Sequence, residues 1–242
     1  MLGKWAASHA DGVHVAPKAS IPATRPPTNP SGTVPCFLSR SRGYDSDMAD
    51  TPIAARLLEV IESEILPMTA RGVASGNKVF GAAVLRKSDL SLVIAGTNSE
   101  TDNPLLHGEI NTLNQFYEMA DRPSTKDLVF LTTHEPCTLC MSAITWAGFD
   151  NYYYFYSHED SRDAFAIPHD LTILKELFGL EPGGYRRTNK FWTAYSIPAL
   201  ADAEAEPLRS ELIEQIKRIK DRYQELSEQY QASKGDNDIP LN

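Results

Sequence analysis

Four residues of this chain could do chemistry together: His107, Glu109, Cys137 and Cys140. Cys137 and Cys140 stand three apart behind Pro136, a spacing that sets both sulfurs on one face of the first turn of a helix opening there. They can share one ion. The positive end of that helix also favours the thiolate, which is the form that binds zinc. His107, at the start of an earlier helix, would supply a third ligand. One nitrogen and two sulfurs leave a tetrahedral zinc with an open fourth position for water, which separates a catalytic site from a closed structural one. Glu109 is two residues from His107. First-turn side chains lean back toward the helix start, so Glu109 can reach the same space as an acid/base group rather than as a ligand.

A thioredoxin-like redox pair would need no upstream His-x-Glu, and a structural zinc site would need a fourth Cys or His at motif spacing. A non-catalytic binding domain would be marked by loss of Glu109 or of a ligand, and all four residues are present.

The His-x-Glu and Pro-Cys-x-x-Cys pair, in this order, resembles the zinc-dependent cytidine deaminase-like superfamily. Within it, Leu106 to Leu113 is similar to the yeast-type cytosine deaminases, while Glu135-Pro136-Cys137 and Ala143 to Ala147 look more like bacterial guanine deaminases and tRNA adenosine deaminases. The resemblance covers about residues 51–180. It implies a three-layer α/β/α fold with a central mixed five-stranded sheet, one zinc on His107, Cys137 and Cys140, acid/base catalysis by Glu109, and a homodimer.

The resemblance also implies roles for residues that have plainer explanations. An Asn at the place of Asn98 hydrogen-bonds the base in the resembling families, although an Asn there is also a turn former. Phe80 would line the pocket, or be plain strand. Trp146 falls where guanine deaminases carry a Trp, yet a Trp on such a helix equally suits a core. Ile167 to Leu177 resembles a guanine deaminase segment bearing an essential second acid, which makes Asp170 a catalytic candidate; its alternative is a helix cap. Gly108, where many members have Ala, points to the free-base branch and counts with Asn98, Phe80 and Trp146 as a substrate-binding position. His134 and Glu135 are expected only to position the zinc helix. The activity implied is hydrolytic deamination of a free nucleobase or related aminoheterocycle, with release of ammonia. Guanine or an aminopurine or aminotriazine comes first, cytosine second, and the adenosine of tRNA third.

The elements that must hold these residues follow from pattern. Thr51-Pro52 opens a helix whose apolar residues run Ile53, Leu57, Val60, Ile61 and Ile65, with Pro67 expected to stop it. Phe80 to Leu85 and Leu92 to Ala95 read as a hairpin across Arg86-Lys87-Ser88-Asp89. A helix over 107–120, a strand over 128–132, a helix over 137–147 and a strand over 152–156 then alternate, the signature of an α/β sheet with parallel later strands. Residues 170–178 read as a short helix and 191–197 as a fifth strand or an aromatic cover. The catalytic domain is thus expected over 49–200. Beyond it, Leu212, Ile216, Ile219, Tyr223, Leu226 and Tyr230 form a heptad stripe on a charged helix within 201–233, too short for an independent coiled coil and therefore packed on the core or on a partner subunit. Residues 234–242 read as a disordered tail.

Residues 1–48 hold six of the 16 prolines among Ser, Thr and Gly, without periodicity, and read as a disordered tail or a start-site extension. Residues 49–242 carry 29 acidic against 18 basic side chains, in a chain of net charge −9. Nucleic-acid binders need a basic footprint, so this balance speaks against a tRNA partner. Two of the three cysteines belong to the motif and only Cys36 remains, so no disulfide framework is available to the core. No apolar run approaches the ~18 residues of a membrane span. A soluble, cytoplasmic protein is expected, with organelle targeting by residues 1–48 as the alternative.

Overall fold

The computed structural model describes residues 52–181 and 184–242. The expectations for residues 1–48, for Cys36 and for Thr51 as a cap lie outside the described residues. From Ile53 the apolar residues form a helix as expected, but Pro67 does not end it. Helix α1 (Ile53–Val60) runs through a π-helical turn (Ile61–Ile65) into α2 (Leu66–Ala74), with Pro67 in the first turn of α2. The Leu66 amide donates to the Ile61 carbonyl, five residues back. That wider register accommodates a residue with no N–H, whose ring would clash in an ordinary α-helical turn.

Strands β1 (Gly81–Arg86) and β2 (Leu92–Thr97) make the hairpin, with Leu90 left-handed at φ 55° in its turn. Then follow α3 (Gly108–Glu118), β3 (Leu128–His134), α4 (Thr138–Trp146), β4 (Asn151–Tyr156), α5 (His158–Phe165), α6 (His169–Phe178), β5 (Thr193–Ser196), α7 (Ile197–Asp202) and α8 (Leu208–Ser233). The sheet order is β2-β1-β3-β4-β5; β1 is antiparallel to β2 and β3, while β3, β4 and β5 run parallel. Both parallel steps need crossovers, which α4 supplies for the first and α5 and α6 for the second.

Alternation along the strands decides the layers. Ala83, Leu85, Val129 and Leu131 face one side, where α1, α2, α7 and α8 cover them. Ala82, Val84, Leu128 and Phe130 face the other, against Leu113 and Phe116 of α3 and Ile144 of α4. The result is an α/β/α fold around a mixed five-stranded sheet.

The heptad stripe of α8 packs on this core. Leu212, Ile219, Tyr223, Leu226 and Tyr230 are buried in the same cluster as α1 and α2, each fully buried apolar side chain contributing ~1.5–3 kcal/mol. Arg218 and Gln215 add contacts to Glu62 in the π turn. Residues 234–242, read from the sequence as disordered, turn back instead: Asn237 Nδ2 donates to the Gly76 carbonyl at 3.0 Å, and Ile239 is buried. Burial of that isoleucine holds the segment, a long-range contact that local composition does not register. No described helix is long and apolar enough to cross a membrane.

Candidate metal centre and its pocket

Two helix starts meet at the C-terminal edge of β3. His107 caps α3 in an extended conformation (φ −59°, ψ 160°), and Asn111 Nδ2 ties that helix to the Thr97 carbonyl of β2 at 2.8 Å. Cys137 caps α4 with φ −63° and ψ 170°, its sulfur 3.5 Å from the Cys140 amide that donates to it. Both helices therefore aim the positive ends of their dipoles at this space.

The segment between β3 and α4 is clamped. Glu135 is 1% exposed, and its carboxylate accepts from Arg187 Nε at 3.0 Å and from the His158 amide at 3.1 Å. His158 Nε2 donates to the Pro136 carbonyl at 3.0 Å, which fixes the backbone immediately before Cys137. His134 lies beneath, in an aromatic box of Phe80, Tyr156, Phe165 and Tyr223.

His107 Nδ1 lies 3.4 Å from Cys137 Sγ and 3.6 Å from Cys140 Sγ, and all three donor atoms fall within 4.8 Å of one another. A tetrahedral zinc, with Zn–S ≈ 2.3 Å and Zn–N ≈ 2.0 Å, sets such nitrogen–sulfur separations at about 3.5 Å. The donor set fits zinc. Both cysteines are free thiols. With no metal bound, hydrogen bonding from Cys140 and His107 holds the Cys137 thiol well below its usual range, while burial and the neighbouring Cys137 push Cys140 well above it. Burial pulls the His107 imidazole down, but its bond to Cys137 and that sulfur's charge outweigh it and raise the pKa to about 9. Concentrated negative charge in a buried pocket is what a divalent cation would neutralise.

Glu109 is 4% exposed, with its Oε1 3.0 Å from Thr132 Oγ1. Burial, then the nearby Cys137 sulfur, raises its pKa to about 7. Beside this cluster opens a cavity of about 310 Å³, at the small end of ligand pockets, reached by His107, Cys137, Phe80 and Asp170. Burial and the Cys137 charge raise Asp170 to about 6. Asn98 is 3% exposed; its Nδ2 donates to Glu100 at 2.5 Å and its Oδ1 has no partner. Gly108 packs on the backbone of Phe80 and Gly81. Asn98 and Gly108 stand behind the cavity wall rather than in it, and Trp146 is 91% exposed at the last turn of α4, the opposite end from Cys137.

Lys78, Glu100, Leu105, His169 and Ile239 also line the cavity, and the sequence reading missed all five. The Asn98-Ser99-Glu100 run between β2 and α3 was the one available signal for Glu100.

Residues 59–156 match the family described as the cytidine and deoxycytidylate deaminase zinc-binding region. This region, which holds all three ligands and Glu109, is a zinc-dependent deaminase domain of the cytidine deaminase family. Its similarity to other members is low. The guanine deaminase of Bacillus subtilis (strain 168) is 26% identical over 109 residues, 44% of this chain and 69% of that protein. A solved guanine deaminase from Nitrosomonas europaea is 19% identical, covering 72% of this chain and 90% of that one, with a TM-score of 0.42. A solved relative in complex with 8-azaguanine is 18% identical, covering 72% and 86%, with a TM-score of 0.43.

Proposed function

We propose that this cytidine deaminase-family enzyme hydrolytically deaminates a free amino-substituted heterocyclic base, guanine first among the candidates. The observation that carries this reading is the small cavity, into which the Asp170 carboxylate and the metal ligands His107 and Cys137 all open. Guanine offers two donors, a lactam N–H and a 2-amino group, and a carboxylate accepts from both. Phe80 and Leu105 give the cavity apolar wall against which a flat base buries its faces. The low-identity match to a curated guanine deaminase supports the same substrate class.

A zinc ion on His107, Cys137 and Cys140 would supply Lewis acidity, which lowers the pKa of water from 15.7 toward ~7. Glu109 takes up the proton that water loses as it attacks the carbon bearing the amine. It delivers that proton to the ring nitrogen, then carries the proton of the newly added hydroxyl to the amine, so that the C–N bond breaks, ammonia leaves and a carbonyl remains. Burial pushes the Glu109 carboxyl up from its usual range, which favours its taking up a proton as well as giving one. Asp170, held up at about 6, is the second acid on the amine side. Phe80 and the chain returning at Ile239 supply apolar wall on the cavity.

The test is ammonia release by purified, zinc-loaded protein offered guanine, an aminotriazine, cytosine, cytidine, adenosine and tRNA at equal concentration. Turnover of guanine or another aminopurine or aminotriazine is expected. Turnover confined to nucleosides or tRNA would refute the proposal.

A further inference from the structure

Glu100 ties the cavity wall to a metal ligand. Its Oε1 accepts from Lys78 Nζ at 2.9 Å and its Oε2 from Asn98 Nδ2 at 2.5 Å. The same Oε1 lies 3.7 Å from Nε2 of His107, beyond hydrogen-bond length but within charge-pair reach. Glu100 is 3% exposed and Lys78 5%, so both charges have left water.

A buried ion pair is a poor device for stability alone, since desolvating two charges often outweighs their attraction, and an apolar pair of like volume can do as well. A carboxylate facing the outer nitrogen of a metal-binding histidine does something an apolar side chain cannot. Nδ1 of His107 faces the two sulfurs, so the ring must carry its proton on Nε2 for Nδ1 to offer a lone pair. An anionic oxygen on the Nε2 side favours that tautomer and opposes rotation of the ring. It also makes Nδ1 the stronger donor. The opposite tautomer would set a lone pair against the carboxylate. Lys78 donates to one oxygen of the carboxylate and Asn98 to the other, which fixes Glu100 with Oε1 on the side of His107.

We propose that Glu100 is a positioning residue of the metal centre, fixing the tautomer and ring orientation of His107. This rests on the three-ligand zinc site and not on the choice of base. The experiment therefore reads metal binding, and a failure of the guanine assay leaves it intact.

Glu100→Gln and Lys78→Met break the same ion pair, but only the first removes charge from beside His107. Zinc affinity measured by chelator competition should fall ~10–100-fold in Glu100→Gln, while Lys78→Met stays within about threefold of the parent protein, as expected if the carboxylate alone bears on the ligand. In the zinc-loaded protein, the His107 Nε2–H proton resonance should move upfield in Glu100→Gln. Glu100→Gln strands a buried lysine, so the double variant Lys78→Met/Glu100→Gln is measured beside it and should show the same loss of affinity. Equal losses in both single variants would make the pair a purely structural element and overturn the proposal. Parent-like zinc affinity in the double variant, or its failure to fold, would overturn it as well.

Discussion

A methyl group on Gly108 would lie 2.8 Å from the Cα of Gly81, so the start of α3 rests directly on the backbone of β1. That contact sets how far His107 and Glu109, on either side of Gly108, project toward Cys137. Gly108→Ala must push the helix off the strand, and overpacking of this kind costs ~1–3 kcal/mol. The variant is expected to melt several degrees lower and to hold zinc more weakly, by thermal melting and elemental analysis. An unchanged melting temperature would mean that α3 can shift without strain.

Metal removal should unsettle the whole fold, because the ligands come from the starts of two helices on one face of the sheet. An ion bound only by the folded state at a thousand times its Kd adds about 4 kcal/mol. Zinc is expected at about one per chain, and a strong chelator should lower the melting temperature reversibly. A melting temperature indifferent to chelator would remove zinc from the folding balance.

Glu109→Gln keeps the shape of the side chain and removes its proton. Turnover should drop by ~10²–10⁴-fold with zinc content unchanged. The metal-free variant should also be the more stable protein at neutral pH. The carboxyl has its pKa raised by burial from 4.5 to about 7, so the folded state holds the proton more tightly, and stability falls as pH rises through that interval. The amide has no such loss. Activity within threefold of the parent would exclude Glu109 as the proton carrier.

The metal ligands were legible in the sequence because their meaning is local. Cys137 and Cys140 stand three apart and His107 and Glu109 two apart, so helical geometry alone sets each pair, and only their meeting required the fold. The strands and helices around them were legible for the same reason. Glu100 was not, since its value comes from Lys78 and His107, which the hairpin and the turn before α3 bring to it. Pro67 misled because a proline normally ends a helix, and the π turn that admits it depends on packing of Ile61 and Ile65 beneath. Helix α5 went unread because its capping box of Ser157 and Asp160 leads into a mostly polar run. Trp146 is a different case: its chemistry suits a flat ligand, and its place at the last turn of α4, which leaves it 91% exposed, follows from packing that local sequence does not register.

His134 gives the protein an acid limit. Burial in its aromatic box, with His158 nearby, lowers its pKa from 6.5 to about 3. The unfolded chain therefore binds a proton that the folded one refuses, and stability present above pH 6.5 is lost progressively as pH falls toward 3. Between about pH 6.5 and 5 this amounts to something on the order of 2 kcal/mol. His134→Phe should lack this share of the loss, shifting acid denaturation to lower pH in a circular dichroism titration. Coincident titration curves for the two proteins would show that His134 protonates without unfolding.

Asp170 separates the substrates. It stands at the start of α6 and reaches the cavity shared with His107 and Cys137. A free base with two adjacent donors needs such an acceptor, whereas a tRNA enzyme depends on basic residues gripping phosphates outside the pocket. With 29 acidic against 18 basic side chains over residues 49–242, the chain is poorly supplied for that grip. Asp170→Asn keeps the size of the side chain and replaces one acceptor oxygen by a donor that would oppose the base's own N–H. It is expected to lower kcat/KM on the preferred free base by at least ~10-fold, about 1.4 kcal/mol of transition-state stabilisation, with zinc content unchanged. Activity on that base should be flat between low and physiological salt, because no phosphate contacts release counterions. A silent substitution together with tRNA activity that falls steeply with salt would transfer the assignment to the tRNA-directed alternative.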